Sequence, residues 1–498
     1  MSRTVKIIFA VIVLLLINFL SNYFFYRIDL TANKEFTLSQ ATNDILKQLD
    51  KKVKVKAYFS DNLPVDIDKG RSEFKDLLGE YASLSKGQLE YQFISPNSDS
   101  KLEEEAMKEG IQPVLINVRD KDQAKQLKAF MGAIVEIDSK KEIIPLIQPG
   151  VAMEYSLTTA IKKMNSLNRP KIGFIQGHGE AALQELAQVY EKLSVLCDVS
   201  SVYLNDTIDL STYRALAMVR PKDSIPPGDF VLLDRFLKNG GKLLIACDQM
   251  NVELQQGISS QLNTGVPAWL NDKGIDLENA LVRDISCGSV QVQQQSGFFS
   301  FATPVQLPYL PVVKTFSDHQ ITKGLEMVIL QFASPVIYKG KPNMKFTPLM
   351  YTSDQSGKQA MPIQIDIQHQ WSNADFPDRQ ICLGGVLEGD FGAGNNDGRL
   401  VIFGDGDFPV GGRGRQVNDD NVSLLANSVD WLSDDTGLIE LRTKSVTGRP
   451  IKEIDDATRN FYKYLNFLLP IGLALAYGLF RSTMNRRKRI RRMETRYA

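Results

Sequence analysis

The sequence predicts an α/β protein whose body is held at a membrane by one helix at each end. Three observations support this fold class. Uncharged apolar runs lie near both ends of the 498-residue chain, and short apolar strands alternate with amphipathic helices between them. In addition, 43% of the residues are hydrophobic, which is enough for large cores. At about 150 residues per domain, roughly three domains fit this length.

The first apolar run, Ile7 to Tyr26, contains no charged residue. A helix of about 20 residues is about 30 Å long, which is the thickness of a bilayer core. The alternative is a cleavable signal peptide, but bulky Tyr23, Phe24, Phe25 and Tyr26 stand where a cleavage site needs small residues. We therefore predict that residues 1–26 are a transmembrane anchor.

The second apolar run, residues 464–480, is followed by a tail at 481–498 with eight basic side chains and one acid. A basic cluster beside an apolar run is typical of a membrane span that is anchored at anionic headgroups. Within the run, Gly472-x-x-x-Ala476 and Ala474-x-x-x-Gly478 space small residues four apart. We expect these to share one helix face and to pack against another membrane helix, although lipid-facing filler is an equal alternative.

The orientation follows from the distribution of positive charge. Arg3 and Lys6 precede the first span and the basic tail follows the second, so both termini are expected in the cytoplasm. Residues 27–463 then lie outside the inner membrane, in the periplasm. They hold 48 basic and 57 acidic residues, a net charge of −9, which argues against a nucleic-acid-binding body.

Residues 27–168 are predicted to form a first α/β domain. A predicted helix at 39–49 comes first. Helix and strand patterns then give the order β-α-β-α-β-β over segments 53–59, 66–84, 89–94, 101–108, 114–118 and 133–147, followed by a helix at 154–165. Segment 133–147 is a hairpin with its turn at Asp138 to Lys141. This layout resembles a thioredoxin-like unit without its cysteines.

Residues 169–440 are predicted to form a second α/β domain, and residues 441–463 a juxtamembrane linker. Short apolar strands at 171–176, 199–203, 215–219, 242–247, 382–387 and 400–403 alternate with helices at 180–193, 228–239 and 421–432. This alternation favours a parallel, doubly wound sheet. The segment 249–295 is poor in regular pattern, so we expect loops and a short helix there.

One candidate ligand-binding motif is Gly177-His178-Gly179-Glu180, which lies between a predicted strand and a predicted helix. Glycines in this position allow backbone N–H groups to face a ligand at a helix N-terminus, and His178 could act as a base or a ligand. The alternative is a tight turn in which Glu180 favours the helix dipole.

A second candidate is Phe403-Gly404-Asp405-Gly406-Asp407-Phe408, just after a predicted strand. Open α/β sheets bind ligands at the carboxyl edge, where Asp405 and Asp407 would lie. The alternative is turn chemistry, since Asp and Gly favour tight turns. No further carboxylates follow at a calcium-loop spacing, so no metal site is predicted.

The other residues that could carry chemistry give no catalytic pattern. Cys197, Cys247, Cys287 and Cys382 are widely spaced with no C-x-x-C, so their pairing stays open. Cys247 ends a strand but lacks the flanking glycines of a nucleophile elbow. No phosphate-binding P-loop motif is present, and no cofactor is expected.

Several segments together resemble the gliding-motility-associated GldG proteins. They are Arg27-Ile-Asp-Leu-Thr31, Phe36-Thr-Leu-Ser39, Glu154 to Ile161, Gly173 to Glu180 and Val401 to Phe408. The resemblance implies an auxiliary, substrate-binding subunit of an ABC transporter, with a separate multi-span permease and a cytoplasmic ATPase as partners. It also implies a non-catalytic, amidotransferase-like second domain, and no catalytic residues carry over.

Three functions are therefore compared. The first is a non-enzymatic accessory subunit whose body binds a ligand or a partner and whose helices dock on a permease. The second is an envelope scaffold, which would show a broad apolar surface instead of a pocket. The third is a periplasmic hydrolase that uses His178 with Asp405 or Asp407, which requires these residues to meet in one pocket.

Overall fold

The computed structural model describes residues 37–61, 63–120, 123–147, 152–165, 169–254, 258–296, 299–367, 369–392, 398–411, 416–434 and 456–494. The chain forms two compact units divided between residues 447 and 448, and each unit is described by itself. The predicted N-terminal anchor, residues 1–26, lies outside the described residues.

The first unit begins with a small mixed sheet. Its elements are α1 (Gln40–Lys47), β1 (Val53–Phe59), α2 (Val65–Leu84), β2 (Leu89–Ile94), α3 (Ser100–Lys108), β3 (Val114–Asp120), β4 (Gln123–Ala129), β5 (Met131–Ile137), β6 (Lys140–Ile144) and α4 (Ala152–Asn165). The strand order is β2-β1-β5-β6, with β1 and β2 parallel and the other pairs antiparallel. Apolar side chains of β1 and β5 pack against those of α2 and α4.

Most of these elements confirm the sequence prediction, and two details differ. Strand β4 was not predicted, because Gln123–Ala129 holds no β-branched or aromatic residue; it is a strand because it pairs with β3 along its whole length. The turn of the β5–β6 hairpin is tighter than expected. It consists of Asp138 and Ser139, and Asp138 adopts a positive φ of 54°.

The rest of the first unit is built around a second, larger sheet. Its elements are β7 (Lys171–Gln176), α5 (Ala187–Ser194), β8 (Asp198–Tyr203), β9 (Ala215–Val219), α6 (Pro227–Lys238), β10 (Lys242–Ala246), β11 (Met250–Glu253), β12 (Ile258–Gln261), α7 (Val266–Asn271), β13 (Ile275–Leu277), β14 (Ala280–Asp284), β15 (Cys287–Ser296), β16 (Phe299–Val313), β17 (Thr315–Phe316), β18 (Val328–Ile329), β19 (Val336–Tyr338), β20 (Met344–Tyr351), β21 (Ser356–Ala360), β22 (Cys382–Gly389), β23 (Gly398–Phe403) and α8 (Asp419–Ser433).

This sheet has the strand order β17-β20-β22-β23-β10-β9-β7-β8. Strands β23, β10, β9, β7 and β8 are parallel, as predicted, and β22, β20 and β17 extend the sheet with antiparallel pairs. Both faces are covered: α5 and α8 pack on one apolar layer, and α6 and α7 on the other. The alternation of Leu244 with Leu243 and Ile245 between these layers explains the continuous apolar run of β10.

The segment 249–295 corrects the prediction of loops with a short helix. It contains five strands, β11 to β15, in addition to α7. Strand β15 pairs with β16 in a long antiparallel hairpin. Four glutamines in β15 and three prolines in β16 hide the apolar alternation that usually marks a strand.

The second unit contains helix α9 (Asp456–Glu494), which has 39 residues and a length of about 58 Å. It is longer than the predicted span 464–480, because the helix starts in the predicted linker and continues into the basic tail. Residues 457–490 are long and apolar enough to cross a membrane, the one such helix among the residues that the structure describes.

Candidate functional site

The polar residues of the first unit concentrate at the carboxyl edge of the eight-stranded sheet. Gly177 to Glu180 follow β7, Arg220 follows β9, Asp248 lies just beyond β10, and Asp405 lies just beyond β23. Parallel strands bring these segments to one edge, where the sequence predicts Asp405 and Asp407.

His178 is held between two carboxylates. Its Nδ1 lies 3.0 Å from Glu180 Oε1 and its Nε2 lies 2.9 Å from Asp229 Oδ2 on α6, while its backbone N–H donates to Glu180 Oε2 at 2.6 Å. The Glu180 side chain is fully buried. The ring therefore ties the turn to α6.

The helix predicted to begin at Glu180 starts at Ala187, which corrects the prediction of a helix N-terminus at this motif. Two bonds redirect the chain. The Glu180 carboxylate turns back to the His178 amide, and Ala181 N donates to Val219 O at 2.9 Å. Gly177 and Gly179 adopt φ of 124° and 75°, which glycine favours. The motif is a tight turn, the alternative reading of the sequence.

Asp405 is completely buried and Asp248 is 4% exposed. Asp405 Oδ1 accepts from the N–H groups of Asp407 and Phe408, and its Oδ2 accepts from Gln331 N at 2.6 Å. Asp248 Oδ1 accepts from Gly406 N at 2.8 Å. Burial raises the pKa of Asp248 to about 8, and burial together with the charge of Asp248 raises the pKa of Asp405 well above its usual range.

Arg220 joins this edge to the turn after β7. Its guanidinium donates to both Glu185 oxygens at 2.9 and 3.0 Å and to Asp407 Oδ1 at 3.4 Å. Arg220 has a positive φ of 58°, a strained conformation for a residue with a Cβ. Burial raises the pKa of Glu185, but hydrogen bonds from the backbone N–H of Ala182 and from the Arg220 guanidinium lower it. The net result is a pKa below the usual value.

The structure brings the two predicted motifs to one edge but not into hydrogen-bonding contact. Strands β10 and β9 lie between β23 and β7. Three strand spacings are about 14 Å, so His178 and Asp405 are not neighbours. In the described part of the chain, the bonds of His178 run to Glu180 and Asp229 instead, and Asp407 bonds Arg220.

The four cysteines are free thiols. Cys247 is buried, and burial raises the pKa of its thiol far above the usual range, as does the nearby charge of Asp248. Burial also raises the pKa of Cys382 to about 11. In the segments that the structure covers, no group of three or more His, Cys, Asp or Glu side chains is placed to hold a metal ion.

The small residues of α9 are arranged differently from the prediction of one shared face. At 100° per residue, the pair Gly472 and Ala476 lies about 160° from the pair Ala474 and Gly478 around the helix. A Cβ on Gly472 or Gly478 would meet nothing within 4 Å. Helix α9 therefore has two small-residue faces, on nearly opposite sides.

Comparison with known families gives the context of this geometry. A family model described as "ABC-type uncharacterized transport system" matches residues 169–432, more than half of the chain. The chain belongs to this family of ABC-transporter auxiliary components. A second model, a domain of unknown function (DUF7088), matches residues 32–136.

Individual relatives of this ABC-transporter auxiliary protein are distant. An uncharacterized protein of Borreliella burgdorferi is 22% identical over 344 residues, covering 66% of each chain, so the chain spans about two thirds of that relative. Among solved structures, the mmIFT52 N-terminal domain has a TM-score of 0.36 at 14% identity, covering 53% of this chain and 97% of that one. A ThuA-like protein from Parabacteroides merdae has a TM-score of 0.28 at 15% identity, covering 58% of this chain and 94% of that one.

Sequence reasoning missed four members of the edge network of this auxiliary protein: Arg220, Asp248, Asp229 and Glu185. All lie inside the segment that matches the family model. Arg220 and Asp248 had a detectable signal, since each is a charged residue just after a fully buried, mostly apolar strand. Asp229 and Glu185 had none, because their partners His178 and Arg220 lie 51 and 35 residues away in the sequence.

Proposed function

We propose that the chain is a non-enzymatic auxiliary subunit of an ABC transporter in a bacterial inner membrane. Its termini lie in the cytoplasm, and residues 27–463 form a periplasmic body that binds a ligand or a partner. Its membrane helices dock on a multi-span permease that works with a separate cytoplasmic ATPase. The family membership supports the accessory role.

Helix α9 is the observation that carries this proposal. Its membrane-crossing segment runs from Ala457 to Ile490 and is followed by basic residues, which favours a cytoplasmic C-terminus. Small residues on two faces allow close approach of neighbouring helices, and such faces are typical of helix packing within a bilayer. A subunit without its own nucleotide motif needs partners of this kind to take part in transport.

The bonding of the edge residues supports a non-enzymatic role. Both ring nitrogens of His178 face carboxylates, and Asp405 is buried with three backbone donors. A general base needs a free lone pair within reach of a substrate proton. These side chains instead stabilise the turns at the sheet edge.

The carboxyl edge of the large sheet is the proposed ligand surface, and it comprises Gly177 to Glu180 together with Asp405, Asp407 and Glu185. The side chains of Asp407 and Glu185 are 38% and 40% exposed. His178, Glu180 and Asp405 are buried. The proposal also includes substrate binding at this surface and a GldG-type link to gliding motility. It further assigns a thioredoxin-like character to the first α/β part and an amidotransferase-like character to the second.

A photo-crosslinking experiment tests the docking of α9. A benzoylphenylalanine is placed at Ala474 or at Ala476, on opposite faces, in the full-length chain in native membranes. We expect an adduct with a multi-span protein from at least one face, and none from the same probe at exposed Asp206. Adducts with lipid alone from both faces would refute the docking proposal.

A further inference from the structure

A cleft of about 1150 Å³ lies at the amino edge of the large sheet, opposite the edge that carries the predicted motifs. One wall comes from α4 of the small-sheet part, and the others come from the starts of β7 and β9 and the end of α6. Clefts between two packed parts of a chain are common ligand sites, and this one is larger than most drug-sized ligands need.

The rim of the cleft is rich in cations. Four acidic side chains line it, against six basic ones. The basic side chains are those of Lys162, Lys163, Arg169, Lys171, Arg214 and Arg235. Some of these charges are paired, since Asp434 lies 4.0 Å from Lys162 and Lys163 lies 2.5 Å from Glu142, while Asp209 accepts from Ser211. Lys171 and Arg235 are exposed to solvent at the rim.

The cations are not required to satisfy the helix end beside them. The terminal carbonyls of α6 accept from the backbone N–H groups of Asn239, Gly240 and Gly241, at 2.9 to 3.1 Å. With these acceptors satisfied, Arg235 is available to an anion in the cleft.

The floor of the cleft is apolar. Leu210 and Phe236 are buried in the core, and Ile208, Tyr213 and Leu232 pack half-buried against them. A cationic rim above an apolar floor matches an amphiphile with an anionic head.

The proposed topology limits the distance between this cleft and the membrane. Ser39 N donates to Glu154 Oε1 on α4 at 2.8 Å, and the next residue, Tyr155, lines the cleft. Residues 27–36 can span at most about 36 Å from the predicted first anchor. This step rests on the proposed function, because it uses the proposed topology.

We propose that the amino-edge cleft binds an amphiphile with an anionic phosphate headgroup, with Lys171 and Arg235 holding the phosphate and Phe236 and Leu232 contacting the aliphatic part. The phosphate chemistry is shared by phospholipids and by soluble phosphate esters. The apolar floor and the short tether favour the lipid.

Calorimetric titration of the full-length chain in non-ionic detergent tests this proposal. The probes are dihexanoyl phosphatidylglycerol, dihexanoyl phosphatidylcholine, glycerol 3-phosphate and inorganic phosphate. We expect the anionic lipid to bind at least about tenfold more tightly than the other three. We also expect the Lys171→Gln, Arg235→Gln double variant to weaken its binding by about tenfold, through the loss of two charge-assisted hydrogen bonds.

Lys238→Gln is the matched control, because Lys238 is exposed on the same helix as Arg235 but does not line the cleft. Absence of lipid binding, equal affinity of the double variant and the control, or soluble phosphate binding as tightly as the lipid would each overturn the proposal. Crosslinking of α9 to a multi-span protein does not depend on the cleft, so the proposed function and this inference can fail separately.

Discussion

At the scale of single residues, Asp248 and Asp405 form a buried pair of carboxyl groups. Both are almost completely excluded from solvent, and burial raises the pKa of each. The charge of Asp248 raises the pKa of Asp405 further, whereas a hydrogen bond with Asp405 lowers that of Asp248. Neighbouring charges act in both directions: Asp407 favours the protonated form of Asp248, and Arg220 opposes it. The geometry is satisfied by one shared proton rather than by two buried negative charges.

This pair predicts a pH dependence of stability. The pKa of Asp248 is about 8 in the folded chain, above the usual value of 3.8, so the folded state binds more protons between about pH 4 and pH 8. The contribution of the pair to the free energy of unfolding is therefore largest at low pH and falls as the pH rises through that window. Urea unfolding across this range measures the slope.

Asp248→Asn should flatten that slope, because an amide cannot lose the shared proton and still accepts from Gly406 N. At pH 8 we expect a gain of roughly 1–3 kcal/mol relative to the unmodified chain. Asp206→Asn, in an exposed loop, is the control and should leave the slope unchanged. An unchanged slope in Asp248→Asn would show that the pair is fully ionised.

Gly404 predicts a steric limit at the same edge. A Cβ there would lie 2.0 Å from Ser334 O, a backbone atom that cannot move aside easily. Gly404→Ala should lower the free energy of unfolding by roughly 2–4 kcal/mol. Gly228→Ala in α6 is the matched control, since its Cβ would meet nothing within 4 Å and helix propensity favours alanine by up to about 1 kcal/mol. Equal stabilities would contradict the close approach.

At the scale of elements, the strands that run through the core were predictable and the paired surface strands were not. β7, β9 and β10 carry continuous apolar runs because both faces of the large sheet are covered, so their sequences alone mark them. β4 and β15 are polar and exist through pairing with β3 and β16, which no local pattern reveals. The start of α5 was predicted too early, because the Glu180 carboxylate accepts a hydrogen bond from the preceding His178 N–H and holds the chain in a turn.

The site was predictable in the same uneven way. The placement of Asp405 beyond β23 follows from one buried strand and one short motif. The linking role of Arg220 depends on Glu185 and Asp407, which are 35 and 187 residues away in the sequence. Ion pairs between residues so distant in sequence produce no local pattern. The sequence therefore predicted Asp405, Asp407 and His178 but not Arg220, which connects the two turns.

Helix α9 gives the element-scale prediction. Leucine at both Gly472 and Ala476, or at both Ala474 and Gly478, fills one small-residue face and leaves the opposite one open. If a permease helix packs on one face, the corresponding double variant should reduce co-purification of the partner at least about tenfold, since bulk at a close helix contact prevents approach. The other double variant is the internal control, and no effect from either would place lipid on both faces.

At the scale of the whole molecule, the chain combines an α/β body with a helix long and apolar enough to cross a membrane, and it belongs to a family of ABC-transport auxiliary components. The body carries a self-bonded polar edge and a cationic cleft, and neither provides a motif for ATP hydrolysis. In the proposed function, the energy for transport comes from a separate ATPase. The central claim is therefore association with a permease and an ATPase.

The most direct test is purification of the tagged full-length chain from native membranes in gentle detergent, with quantitative mass spectrometry of what accompanies it. We expect a multi-span membrane protein and an ATPase with P-loop motifs, each in a fixed ratio to the chain. Recovery of the chain alone, under conditions that keep a control ABC complex intact, would contradict this claim.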